Sequence, residues 1–524
     1  MAEIVTAGAS ARRTTVALAA LVAVAAALRA WGLERQSLWI DEAYAYWFSS
    51  QSLHDLWQVF PAHHNHPPLF MTMMKGWRWL LGDGEAAMRS LSVVPSVLTV
   101  PVVFVMGRLA GGAARGAQTG LLAALVFALS PLHIDYAQQA YVYTWFTLGA
   151  GLSLAGAFWL LVHARAAERP WLDLRRDTHR AGEARATGAW AATVIGSALA
   201  LWMHNVAVVY VAALGLSAAW IGWRDGRPRW YFANLVLAGL AVLAVWSPFA
   251  AKFAAQVGVV SGNFWVEDVT LASALQFIPF LFEIRFTWPI KGSVLLVLLA
   301  ALGLFAISRW GRRDLTRLML GVAGLAYALL LLYSLLVQSI LVDRLLIWVS
   351  LPFYVAVAAG LVAMRRRWLR VLLVVAIVAL SLQGYVNYQR GFEREPWRNI
   401  AAHLAEHAGP DDVVVNLPND NVIPLAYYLD AGGGSLKLVG LPVPYPSFDE
   451  SRLSPVGVIF TPAVEAADLA RLDEVTEGAA AVWYVARETR LFDPDQIVLH
   501  HLQKTRRLAW HWPVRQHIDV YCFE

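Results

Sequence analysis

The chain has 524 residues, of which 58% are hydrophobic and only 15% charged, with a mean hydropathy of +0.51, a net charge of +5 and a pI near 9.2. That balance excludes an ordinary soluble globular protein and points to a polytopic membrane protein. A single cysteine, Cys522, excludes an intramolecular disulfide framework, and the arginines fall between apolar runs rather than on one patch, which argues against nucleic acid as a partner.

Near the N-terminus, Arg12 and Arg13 precede an Ala/Val/Leu run to Ala30 that resembles a signal peptide. Its length and the lack of a clear cleavage site read as an uncleaved first span. Taking roughly twenty apolar residues per crossing, spans are expected at 14–33, 89–107, 117–132, 141–163, 188–204, 205–222, 231–250, 290–308, 316–337, 343–364 and 369–387, about eleven in all. Residues 188–222 are short for two spans, with a break expected near Gly196 or Asn205, and 271–287 reads as re-entrant or interfacial because Pro279, Glu283 and Arg285 interrupt it.

Arginine clusters mark every second loop: Arg12 and Arg13, Arg108 and Arg115, then the groups within 165–185, 224–229, 309–317 and 365–370. By the positive-inside rule these loops are cytoplasmic, so the loop 34–88 and everything after 388 are expected outside. The expected organisation is a membrane module over 1–390 and a soluble α/β domain over 391–524. In the latter, strands are expected at 412–417, 436–441, 458–461, 482–485 and 519–523, and helices near 397–407, 463–476 and 494–506.

The loop 34–88 is too long for a turn, and long loops in compact folds are usually functional or disordered. It opens on Leu38-Trp39-Ile40-Asp41-Glu42-Ala43-Tyr44 and continues through Tyr46, Trp47, Phe48, Trp57 and Phe60, an aromatic, amphipathic composition suited to the membrane interface. Asn65-His66-Pro67-Pro68 reads as a helix start with Asn65 or His66 as cap, and the helix that follows carries Met71, Met74, Trp77 and Leu81 on one side. Two carboxylates, Asp41 and Glu42, thus stand in the same loop as His63, His64 and His66. Those histidines with either acid can bind a divalent metal, although their spacing matches no strong zinc pattern.

These residues resemble a known family, the C-type (GT-C) membrane glycosyltransferases, specifically the bacterial family 39 group akin to protein O-mannosyltransferases and lipid A aminoarabinose transferases. Asp41-Glu42 after the first span is similar to the family's acidic pair, and His66-Pro67-Pro68-Leu69-Phe70 to its His-Pro-Pro-Leu-aromatic motif. Gly82 to Arg89, His204-Asn205, Asp343-Arg344-Leu345-Leu346 with Pro352, and Pro396-Trp397-Arg398 resemble further family segments in the same order. One stretch departs: relatives often carry Gln-Glu-Ala-Arg-x-Tyr where this chain has Gln138-Gln139-Ala140-Tyr141-Val142-Tyr143. Asp135 is the candidate to replace the missing acid.

The resemblance implies a mainly α, polytopic fold with a C-terminal extracytoplasmic α/β domain, in the bacterial inner membrane. It implies inverting transfer of a sugar from a polyprenyl-phosphate-linked donor to a lipid, glycan or protein acceptor. No cofactor is required, and a divalent metal stays open. Asp41 would serve as general base, with Glu42 beside it. Arg89 and Arg344, each where a span meets the outer face, are the candidates for the leaving phosphate. His66, Asp135, Tyr143, His204 and Trp265 are the remaining candidates for substrate contacts. Interfacial anchoring is the ordinary alternative for the arginines and aromatics. Two other classes stay open, a transporter or flippase of a lipid-linked saccharide and a ligase or polymerase of surface glycans.

Overall fold

The computed structural model describes residues 2–62, 66–163, 181–260, 266–275, 291–432, 436–448 and 461–524. The chain divides into two compact units. The first comprises Met1–Leu33, Arg89–Ala250 and Asp268–Phe392, and the second Glu34–Met88, Ala251–Glu267 and Glu393–Glu524.

The described residues of the first unit form helices and the turns between them and no strand, as expected where lipid leaves each backbone N–H and C=O to be satisfied within its own segment. Among the described residues of the chain, nine helices are long and apolar enough to cross a membrane. This is a multi-pass membrane protein. The helix α1 (Ala2–Ala30) contains the first span. Two of the expected spans, 89–107 and 117–132, are the arms of one 45-residue element (Glu85–Leu129) that kinks at Gly112, where φ is +65°. The arms touch through glycines: a Cβ on Gly107 would lie 2.8 Å from the Gly120 Cα, and one on Gly111 2.8 Å from the Gly116 Cα. Small residues are what let helix backbones approach so closely.

The expected break in 188–222 falls at His204–Val206, between the helices Ala181–Met203 and Ala207–Arg224. The eighth expected span is the helix Lys291–Arg309. It packs against Ser350–Ala363 at a contact that only glycine permits, since a Cβ on Gly303 would lie 1.7 Å from the Ala356 carbonyl oxygen. Of 271–287, only Leu271–Leu275 lies within the described residues, and it is helical.

The second unit contains a five-stranded sheet of order β2-β1-β3-β5-β4, with β1 (Val413–Leu417), β2 (Lys437–Gly440), β3 (Val482–Arg487), β4 (Leu508–Val514) and β5 (Ile518–Phe523). β2, β1 and β3 run parallel, and β5 is antiparallel to both β3 and β4. Every residue of β1 and β3 is buried, as expected for parallel strands covered on both faces. Alternate residues feed two cores: Val413, Val415, Leu417 and Tyr484 on one face, and Val414, Trp483 and Val485 on the other, with Trp397 and Leu404 of the helix Trp397–His407.

β4 was not expected, because His511 and Pro513 interrupt its aromatic alternation. Nor was the helix Val422–Gly432, which carries Pro424 in its first turn. The expected strand 458–461 lies outside the described residues except for Thr461. In the same unit, α2 (Ile40–Ser50) and α3 (Leu69–Leu81) form the helical pair expected in the long loop.

Candidate functional site

The candidate residues divide between the units. Asp41, Glu42 and His66 belong to the second, and Arg89, Asp135, Tyr143, His204 and Arg344 to the first. His63, His64 and Trp265 lie outside the described residues. Among the described residues no group of three or more His, Cys, Asp or Glu side chains is arranged to hold a metal ion.

In the second unit Asp41 and Glu42 occupy the first turn of α2, and burial separates them. Glu42 is fully buried, and its carboxylate accepts the Trp39 backbone N–H at 3.3 Å, closing one of the helix's orphan donors. Asp41 is half-buried. The next donor, the Ile40 N–H, goes to the carboxylate of Glu395 at 2.8 Å, which also accepts the Trp397 indole N–H at 2.8 Å. The other end of α2 is closed by cations of α3: Lys75 donates to the Gln51 carbonyl at 2.8 Å and Arg78 to the Tyr46 carbonyl at 2.8 Å. Both charges therefore complement a helix C-terminus.

α3 itself begins at Leu69, with Pro68 at the cap position and no side-chain capping bond. The expectation that His66 caps it is corrected. The Pro67-Pro68 pair carries the chain past that histidine before the helical turn begins. Phe70, Met71 and Met74 form the buried face of α3, while Trp79, Leu80 and Leu81 at its end are exposed.

Sequence reading missed two further groups that hold this loop. Glu85 accepts both the Tyr428 hydroxyl and the Arg398 guanidinium, and Tyr428 in turn accepts the Leu38 N–H at 2.6 Å. Tyr44 donates its hydroxyl to Asp420, whose carboxylate is gripped by Arg487 at 2.8 and 2.9 Å. Burial, with Asp420 beside it, holds the Tyr44 hydroxyl well above its usual range, so it stays a donor. Burial also raises the Glu395 carboxyl, against the pull of Arg487. Usable signals were Pro396-Trp397-Arg398, which flanks Glu395 and contains Arg398, and the stretches 82–89 and 38–44, which contain Glu85 and Tyr44.

In the first unit Ser130 caps the short helix α5 (Pro131–Ala137), accepting the His133 N–H at 3.3 Å, and Pro131 sits in its first turn. α5 and the buried turn after it deliver Asp135, Tyr136 and Tyr143. The Tyr136 and Tyr143 rings meet edge-on at 5.1 Å, and Tyr143 lies 5.9 Å from His204. Arg344, on the 3₁₀ element Asp343–Val349, acts electrostatically on both Tyr136 and His204. Burial lifts the Tyr136 hydroxyl far above its usual range while Arg344 pulls it down; Tyr143, Asp135 and Asp343 add to the rise. The buried Asp135, Tyr136, Tyr143 and His204 thus form one polar group with the half-buried Asp343 and Arg344. Arg89 has separate employment, donating to the Leu33 carbonyl at 2.5 Å.

The divergent stretch 138–143 has a structural use. The Gln138 amide donates to the Trp31 carbonyl at 2.7 Å and accepts the Tyr388 hydroxyl at 3.0 Å, tying the end of α1 to the helix Arg367–Gly391. Gln139 and Tyr141 are both buried, and the Tyr141 carbonyl accepts from Ser92 at 3.1 Å.

His204 is pushed down to about 3, first by burial and then by Arg344, and its Nδ1 accepts the Val206 N–H at 3.2 Å. It is neutral at physiological pH. As pH falls from its unfolded pKa toward 3, the unfolded chain takes a proton that the folded chain does not, so the folded state loses stability. The thermal midpoint is therefore expected to be lower at about pH 5 than near neutrality. His204→Gln should shrink that difference without removing it, because burial lowers His133 in the same direction. Melting curves of the detergent-solubilised protein at the two pH values check this.

No protein-family model matches the chain, and no curated protein matches it in sequence. Solved structures do match. Undecaprenyl-phosphate-bound ArnT from Cupriavidus metallidurans aligns with TM-score 0.59 and 13% identity, over 96% of this chain and 97% of that one. The Archaeoglobus fulgidus oligosaccharyltransferase tethered to an acceptor peptide containing the NVT sequon aligns with TM-score 0.52 and 11% identity, over 97% of this chain and 74% of that one. The chain has the GT-C fold. The likeness to ArnT runs nearly end to end in both proteins, so the GT-C fold accounts for the membrane helices and the C-terminal sheet together. The mainly α, polytopic architecture expected from sequence is the one observed.

Proposed function

We propose that this GT-C protein is an inverting glycosyltransferase, moving a sugar from a polyprenyl-phosphate-linked donor to an acceptor hydroxyl at the outer face of the bacterial inner membrane. In this reading residues 1–390 form the membrane module, with 34–88 as a catalytic outer loop, and 391–524 form an extracytoplasmic domain. The observation that carries it is the gathering of Arg344 with Tyr136, Tyr143, His204 and Asp135 inside a GT-C fold. A guanidinium among neutral hydroxyl and imidazole donors suits a phosphate that gains charge as it leaves. Two neighbours support the donor class by their own ligands: ArnT is bound to undecaprenyl phosphate, and an Archaeoglobus fulgidus oligosaccharyltransferase structure contains a dolichol-phosphate.

The acceptor oxygen attacks the anomeric carbon, the bond from that carbon to the phosphate oxygen breaks, and its electron pair leaves with the polyprenyl phosphate. The acceptor proton passes to the Asp41 carboxylate. Glu42 is the lesser candidate for that step, because its buried carboxylate already accepts the Trp39 N–H. The exposed Trp79, Leu80 and Leu81, three residues before the 45-residue element begins, fit a loop resting on the lipid surface.

Membranes containing or lacking the protein, incubated with a panel of radiolabelled undecaprenyl-phosphate-linked monosaccharides, test the proposal. The expected result is label leaving the lipid phosphate for a new covalent product, with free undecaprenyl phosphate appearing. Accumulation of a labelled donor inside proteoliposomes with no covalent product would overturn it in favour of transport.

A further inference from the structure

In α/β sheets a ligand is commonly received at the carboxyl ends of the parallel strands, where successive connections leave to opposite sides. Here that point lies between β1 and β3, since β2 flanks β1 on one side and β3 on the other. β1 runs out into Pro418-Asn419-Asp420-Asn421, and β3 ends on Arg487. Arg487 spans the crevice. Its Nη2 donates to both Asp420 oxygens at 2.8 and 2.9 Å, its Nε to the Asn421 side-chain oxygen at 2.9 Å, and its Nη1 lies 3.8 Å from Glu395.

Both acids of this cluster also accept a bond from α2. Asp420 takes the Tyr44 hydroxyl, and Glu395 takes the Ile40 N–H. The point where such a domain would bind a ligand therefore grips a helix of its own chain, one residue before Asp41 and three after it. The side chains involved are barely exposed: 8% for Arg487, 2% for Asp420 and 14% for Glu395. Two acids this deep are tolerable only with the cation between them, and removing it leaves uncompensated buried charge.

We propose that Arg487 is a positioning residue for sugar transfer, acting through Glu395 and Asp420 to fix the first turn of α2 and with it the direction in which Asp41 points. This rests on Asp41 being the base. It gives the C-terminal domain a part in catalysis that needs no substrate contact: the sheet supplies a rigid edge against which the catalytic turn is held. Misplacing a catalytic group by about 1 Å costs on the order of a hundredfold in rate, so a loosened first turn is enough to register.

The test uses the full-length protein in nanodiscs, with the undecaprenyl-phosphate-linked monosaccharide that the panel above identifies. Arg487→Met is expected to lower kcat about a hundredfold and Tyr44→Phe about tenfold, each with donor KM unchanged. Amide exchange over 40–44 should quicken in both. In the Asp41→Asn background neither substitution should lower the residual rate further, whereas general damage to the fold would. If Arg487→Met does not accumulate, Tyr44→Phe, which deletes one hydroxyl, decides the question by the same measurements. Wild-type kcat in the variants, or an equal further loss on top of Asp41→Asn, overturns the proposal. An active Asp41→Asn overturns the base assignment instead, and that is read before any other variant is made.

Discussion

Asp41→Asn is expected to abolish sugar transfer, with a loss in kcat of at least about 10² to 10⁴-fold, while the amount of protein in the membrane stays as in wild type. The substitution keeps the shape of the side chain and removes its capacity to accept a proton. In the proposed reaction only one base is required, because the leaving group is a phosphate that needs stabilisation rather than protonation. The choice between the adjacent acids follows from their surroundings. Glu42 is fully buried and closes the start of α2, so Glu42→Gln, which still offers an oxygen to the Trp39 N–H, should cost far less activity than Asp41→Asn. Asp41 is half-buried on the same turn. Initial rates of label transfer, normalised to protein by immunoblot, check the pair. An active Asp41→Asn, or a greater loss in Glu42→Gln, would sink the assignment.

What could be read from sequence divides along a physical line. Spans were legible because a bilayer demands long apolar runs, and their breaks fell where Gly112 and the His204–Val206 turn put them. The buried strands β1 and β3 were legible as short β-branched runs. β4 was not, because an edge strand carrying His511 and Pro513 has little to distinguish it from a loop. At the site, Asp41, His204 and Arg344 stood out through motif resemblance, and Asp135 and Tyr143 through their neighbourhood.

The latch on α2 was invisible for a different reason. Tyr44, Glu395, Asp420 and Arg487 are hundreds of residues apart or sit in unremarkable local contexts, and only the sheet topology brings the end of β1 beside the end of β3. The stretch around Gln139 and Tyr141 similarly reads as two lost charges in sequence, while Gln138 beside them keeps the residue the resemblance expects. In the fold Gln138 is a buried amide bonded to the carbonyls that end α1 and to the Tyr388 hydroxyl, and the uncharged Gln139 and Tyr141 are buried beside it.

Arg344→Gln is expected to lower kcat by about 10² to 10³-fold, with Arg344→Lys intermediate, since an ammonium restores charge but not the planar two-pronged geometry that matches phosphate oxygens. The residue stands at the head of Asp343–Ala363, the most deeply buried span among the described residues. Its backbone N–H is held by the Asp343 carboxylate at 2.7 Å, which fixes the turn that presents it. A charge in that position strengthens as the leaving phosphate develops charge, so its loss should appear in kcat more than in donor KM. Two further readouts distinguish this role from anchoring at the interface. Added undecaprenyl phosphate should inhibit the wild type as product and inhibit Arg344→Gln much less. Because Arg344 also helps push the proton off His204, its removal should raise the His204 pKa toward the ordinary value, and the acid-dependent loss of thermal stability should shrink. An Arg344→Gln protein with unchanged kcat and unchanged product inhibition would assign the guanidinium to the membrane boundary instead.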